Sequence, residues 1–232
     1  MNFRTETRGV LQMKSETYGT SVLGAPLRYF PCSSECELLV VAAIHGEEAE
    51  TTFLLSRALR AFGKNFKAVS VVLCANPDGV ALGTRGNANG VDLNRNFPTR
   101  NWSGDGVLSR SVLEASRDTL LSTGSCPGSE PETQALVRLA SLLKPKSILS
   151  VHSPIGCIDA PERTPLVDSL QTVFGLPWVA DIGYSTPGSF GTWCAENGVE
   201  CVTLELPRLA PELLFERFGE GLARFLETFD CR

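Results

Sequence analysis

Long apolar runs are missing from this sequence. None approaches the roughly 20 residues that a membrane helix needs, which excludes a membrane partner. Positive charge is short too. The 21 Lys and Arg are outnumbered by 26 Asp and Glu, giving a net charge of −5 at pH 7. That balance argues against binding a nucleic acid backbone. The opening MNFRTETRGVLQMKSETYGTS has no apolar h-region, so no signal peptide is read and a cytoplasmic location is expected. No repeat or low-complexity linker interrupts the 232 residues, and a single domain over 1–232 is expected. Eight cysteines are present. They are scattered, several within apparent strands (Cys74, Cys201), so reduced thiols are expected rather than a disulfide framework. Cys32 and Cys36 have no second pair of matching spacing and make a poor zinc knuckle.

Histidine is the scarcest chemical resource: only His45 and His152 occur. Each stands where an apolar run ends, in LLVVAAIHGEE and SILSVHSP. Continuous apolar runs predict strands covered on both faces at 27–30, 38–44, 69–75, 147–151 and 201–206, with a short one at 178–179. Helical stretches alternate with them. The segment 47–62 carries Leu55, Ala58, Leu59 and Phe62 on one face, and Gly63 fits its C-terminal stop. SEPE at 129–132 reads as a capping box opening a helix to about 143. An amphipathic helix is expected from 211 to about 229. The alternation predicts an α/β three-layer sandwich, with a mixed, largely parallel twisted sheet covered by helices. Two long loops, 76–106 and 181–189, are candidates for function. In open α/β sheets ligands gather at the carboxyl ends of strands, and His45, Asn76, His152 and Glu205 lie at or near such ends.

His45 and Glu48, three residues apart at a strand-to-helix turn, can aim at one point. His152 could complete a two-imidazole, one-carboxylate set, which matches a catalytic zinc site with one position left for water. Taken alone, His–x–x–Glu is an ordinary helix start with Glu47 and Glu48 favouring the N-terminus. Glu205 in VTLELP adds a carboxylate to an apolar strand, costly unless paired or functional. It reads as a general base, or else as a residue on an edge strand. In GVDLNRNFP, Asn94 and Arg95 set an amide beside a guanidinium fork, suited to holding a carboxylate. Arg85 in LGTRGN could stabilise an oxyanion. By itself, each of these features is more readily a polar surface feature, an edge-strand residue for Glu205 and a surface turn for Asn94 and Arg95, than a functional group.

In order, the set HGEE, NPDG, TRGN, GVDLNRNFP, HS and LEL resembles the zinc carboxypeptidase family, and YGTSVLGAPL resembles its opening. The resemblance implies one Zn²⁺ per chain on His45, Glu48 and His152. It implies Glu205 as general base and acid, Arg85 on the scissile carbonyl, and Asn94 and Arg95 on the substrate's free carboxylate. Tyr184 would cap the substrate. Where many digestive members carry arginine before the metal-binding glutamate, this chain has Glu47, a departure at a position tied to extended peptide binding. HGEE, DIGYSTPGSFG and the compact length look like the family's murein peptide amidase A branch. That branch implies hydrolysis of the γ-D-glutamyl–meso-diaminopimelate bond of a small murein tripeptide. A pocket pairing both far groups of diaminopimelate should reject lysine, with Asp159, Arg163 and Asp181 as candidates for that contact. Gly188 and Ser189 either shape the pocket or cap a helix at 190–197. An N-acyl amino acid deacylase and a catalytically silent ligand-binding protein on the same fold are the alternatives. A homodimer is left open.

Overall fold

The computed structural model describes residues 13–61, 65–111 and 117–229. The stop expected at Gly63 lies outside them. In chain order the elements are β1 (Glu16–Thr20), β2 (Pro26–Tyr29), β3 (Leu38–Ala42), α1 (Ala49–Arg60), β4 (Val69–Val72) and α2 (Pro77–Leu82). A 3-10 turn at Leu93–Arg95 precedes β5 (Val107–Ser111), β6 (Arg117–Leu121), α3 (Pro131–Leu143), β7 (Ser147–His152) and β8 (Ile155–Asp159). Then come α4 (Pro165–Phe174), β9 (Trp178–Val179), α5 (Phe190–Glu196), β10 (Glu200–Pro207) and α6 (Pro211–Thr228).

The main sheet has the order β4-β3-β7-β10-β8-β9. Strands β4, β3, β7 and β10 run parallel, and β8 runs antiparallel to β10. The sheet is therefore mixed and largely parallel, as the sequence predicts. Its central strands are apolar on both faces because helices cover both. Leu38, Val40 and Ala42 of β3 pack with residues of α1, α4 and α6. Leu39 and Val41 pack on the other side with residues of α3 and α5. Burying each such aliphatic side chain stabilises by about 1.5–3 kcal/mol. Alternation along β10 has a different result. Val202, Leu204 and Leu206 enter the first core, so Cys201, Thr203 and Glu205 point the opposite way, into a cavity.

Several boundaries differ from expectation for physical reasons. The run 38–44 leaves the sheet at Ala42, because Ala43 adopts φ 51°, in the left-handed region. That break turns the chain towards His45. The capping box is not formed. Glu130, not Ser129, is the N-cap of α3, with no side-chain capping bond. Its carboxylate instead accepts from Asn87 and Asn89 at 2.8 Å each, while Ser129 Oγ donates to it at 2.7 Å. The loop 76–106 contains α2 and the 3-10 turn. Strands β1, β5, β6 and β8 and helix α4 lie outside the expected set.

Candidate metal centre and substrate cavity

The site is built at the C-terminal ends of the parallel strands. Asn76, just after β4, is fully buried. Its Oδ1 accepts from Gly79 N at 2.9 Å, capping α2, and its Nδ2 donates to Ile44 O at 3.3 Å. Asn76 thus ties the NPDG turn to the turn that carries His45. The two turns touch through glycines. A Cβ on Gly46 would stand 2.1 Å from the Gly79 carbonyl carbon and 2.5 Å from the Thr84 carbonyl oxygen. Both neighbours are backbone, so neither can swing aside. Gly46→Ala is expected to destabilise the fold by about 1–3 kcal/mol or more and to lower zinc content, since Gly46 lies between His45 and Glu48. A thermal melt and metal analysis check this; an unchanged melting temperature with full zinc would refute the close-packing argument.

His45, Glu48 and His152 converge, all buried. Their ligand atoms lie within 4.8 Å of one another. His45 Nδ1 is 2.7 Å from Glu48 Oε1, His152 Nδ1 is 2.9 Å from Glu48 Oε2, and the two Nδ1 atoms are 3.2 Å apart. A tetrahedral ion at about 2.0–2.2 Å from such donors places them about 3.3–3.6 Å apart, so the set fits a single zinc with a few tenths of an ångström of spreading. Electrostatics agrees. Burial resists charge on Glu48, but His45 and His152 outweigh it and hold the carboxyl down at about 2. Burial and Arg85 oppose charge on His45, but Glu48 and Asp92 outweigh them and raise it to about 9. The pocket therefore holds positive charge readily.

The outer nitrogens of the two rings are also placed. His152 Nε2 lies 3.0 Å from Ser150 Oγ. His45 Nε2 lies 3.3 Å from Asp92 Oδ1, an ion-pair distance without hydrogen-bond alignment. Asp92, fully buried, also accepts from Arg85 Nε at 3.0 Å and Asn94 N at 2.9 Å. It orients a metal ligand, a cation and the following turn at once. Sequence reasoning missed Asp92. Its only signal was an aspartate between two apolar residues, Val91 and Leu93, in a polar loop.

Every expected site residue borders one cavity of about 680 Å³: His45, Glu48, His152, Glu205, Arg85, Asn94, Arg95 and Tyr184. Glu205 stands beside His152 in the β10–β7 register. It is buried, and its Oε2 has no hydrogen-bond partner among the described residues. Burial pushes its carboxyl above the ordinary range; His152 pulls the other way and Glu48 pushes with burial. Arg85 is held by Asp92 and, at 3.3 Å, by Glu47, which gives the departure at Glu47 a structural place. Asn94 Oδ1 accepts from Phe190 N at 2.9 Å, so the amide's remaining group is a donor. Arg95 is buried and donates to Asn94 O at 2.8 Å. Gly188 packs on Arg95: at φ 72°, a Cβ there would stand 2.4 Å from the Arg95 carbonyl oxygen. Ser189 is both a helix cap, accepting from Thr192 N at 3.1 Å, and part of the cavity wall. Tyr184 is exposed at the rim.

The candidates for the far end of the substrate separate. Asp159 borders the cavity. Arg163 is exposed and donates to Asp168 Oδ1 at 2.7 Å, and Asp181 accepts from Gly183 N at 2.8 Å in its own loop. Neither borders the cavity. The seven described cysteines are free thiols, as expected.

Comparison with known proteins follows this geometry. A profile of the zinc carboxypeptidase family matches residues 11–156. Murein peptide amidase A of Escherichia coli (strain K12) is 44% identical over 222 residues, 94% of this chain and 92% of that protein. Murein peptide amidase A of Vibrio campbellii is 42% identical over 227 residues, 97% and 91% of the two chains. The crystal structure of murein-tripeptide amidase from Escherichia coli O157 superposes with a TM-score of 0.91 at 40% identity, covering 100% of both chains. The chain belongs to the zinc carboxypeptidase family.

Proposed function

We propose that this chain hydrolyses the γ-D-glutamyl–meso-diaminopimelate amide of the murein tripeptide L-Ala-γ-D-Glu-meso-diaminopimelate, as a single-domain enzyme of the cytoplasm. The relatives' names support the substrate. One observation carries the chemistry: three metal donors and an unpartnered buried carboxylate share a wall of one cavity that two arginines also border. Among the described residues, no helix is long and apolar enough to cross a membrane.

His45, Glu48 and His152 would hold the zinc, which when bound would supply a Lewis acid and lower the pKa of water to about 7. Glu205 takes the proton from the attacking water and returns it to the leaving amine. Arg85, fixed by Asp92 and Glu47, presents its cation to the developing oxyanion. The Asn94 amide and the Arg95 guanidinium hold the free carboxylate beside the scissile bond. That contact sets the register and restricts cleavage to a terminal residue. Tyr184 closes over the substrate from the rim.

The test is a comparison of kcat/KM for the murein tripeptide, acyl-Gly-Phe and simple acylated amino acids on zinc-loaded protein. The tripeptide is expected to be the best substrate. Preference for acyl-Gly-Phe would leave a general carboxypeptidase, and preference for acylated amino acids would leave a deacylase.

A further inference from the structure

Outside the metal donors and Glu205, five charged residues among those described line the cavity. They are Arg85, Arg95, Asp159, Glu162 and Glu200. Among the described lining residues no other arginine and no lysine occurs. Asp159 is the acid best placed to meet a ligand held at the catalytic centre. In the antiparallel register of β8 on β10 it pairs with Thr203, two residues from Glu205. Residues two apart in a strand share a face and stand about 6.5–7 Å apart. Asp159 and Glu205 therefore project from the same face, one pleat apart. Asp159 is half-buried; its backbone is paired with Thr203 and Val179, while its carboxylate makes no side-chain hydrogen bond or ion pair among the described residues. Glu200 stands at the opposite end of β10 from Glu205, beside Ser147 at the start of β7, and its Oε2 accepts from Ser147 Oγ; Glu162 is exposed. The adjoining carboxylate of Glu205, buried with Oε2 unpartnered, marks this same wall as one that receives a ligand.

We propose that Asp159 is the specificity residue that accepts the ammonium at the far end of the substrate's terminal side chain. The proposal rests on the peptidase reading above and extends it to the leaving residue. That residue's carboxylate lies with Asn94 and Arg95. Its side chain runs along β10, and its ammonium reaches Asp159. Burial and the nearby Asp181 carboxylate press Asp159 towards its neutral form, and an arriving cation relieves both. Among the described lining residues no cation besides Arg85 and Arg95 is present to receive the far carboxylate of diaminopimelate. The ammonium, rather than that carboxylate, is then the main determinant. This changes the sequence-based expectation that lysine is rejected: a lysine residue keeps the ammonium.

The experiment compares three tripeptides that end in diaminopimelate, in lysine, or in the analogue of diaminopimelate without the far amine. Each is assayed on wild type, Asp159→Asn and Arg163→Ala, with zinc content checked in each protein. Wild type is expected to lose about 10- to 100-fold in kcat/KM when the amine is removed, mostly through KM, and less on the lysine peptide. In Asp159→Asn the ratio between amine-bearing and amine-lacking peptides should fall to within a few-fold. Arg163→Ala should keep the wild-type ratio. A full ratio in Asp159→Asn, or a collapsed one in Arg163→Ala, overturns the assignment while leaving the peptidase reading intact. Failure of wild type to cleave the diaminopimelate peptide overturns both.

Discussion

Glu205→Gln is expected to keep its zinc and lose turnover by about 10²- to 10⁴-fold in kcat. The glutamine amide matches the carboxylate in shape but cannot accept a proton from water or deliver one to the leaving amine. Glu205 is not among the three converging donors, so metal content should be unchanged. The pH profile gives an independent check. Burial raises the Glu205 carboxyl above the ordinary glutamate range. Its basic form is present above that raised pKa and lost as pH falls through it, so the acid limb of kcat/KM should sit higher than a solvent-exposed glutamate would place it. A variant with near-normal kcat would move the base elsewhere.

His152→Ala should remove metal and activity together. The histidine ends β7, a strand flanked by β3 and β10, and provides one of three donors. Changes to groups that merely orient a ligand typically cost 10- to 100-fold in metal affinity, so loss of a ligand should cost more than about 100-fold. Zinc measured after gel filtration should fall well below one per chain, and activity should return only in part at high zinc. Full occupancy in this variant would refute the ligand set.

The metal ligands were legible because the chain has just two histidines and sets each at the end of an apolar run. Glu205 was legible because a carboxylate between two leucines in a strand demands an explanation. Asp92 was not, since an aspartate in a Gly/Asn-rich loop looks like any turn residue until Arg85 and His45 are seen against it. Asp159 could not be chosen over Arg163 from sequence. IGCID is a short, half-exposed strand, and the register against Thr203 is a long-range pairing that no local pattern encodes. A different limit hid β1, β5 and β6: they pair locally in two-stranded ribbons outside the main sheet, and their residues alternate too weakly to mark a buried face. The failed capping box has a different cause: a tertiary demand from Asn87 and Asn89 outcompeted a local one.

The break at Ala43 and the end of β7 have a consequence for how the molecule opens. His152 and Glu205 belong to strands buried on both sides, and His45 follows a third such strand by three residues. These parts should part from one another only when the sheet itself comes undone, the costliest opening available. Tyr184 is exposed on a loop outside the sheet, whose opening costs far less. Two metal donors and the general base are thus mounted on or beside the slowest-exchanging part of the fold, and Asp159 on β8 shares it, whereas Tyr184 rides one of the fastest. A lineage could retune how a substrate is covered by changing the loop at Tyr184, whereas a change at Asp159 is made on the sheet that carries the chemistry.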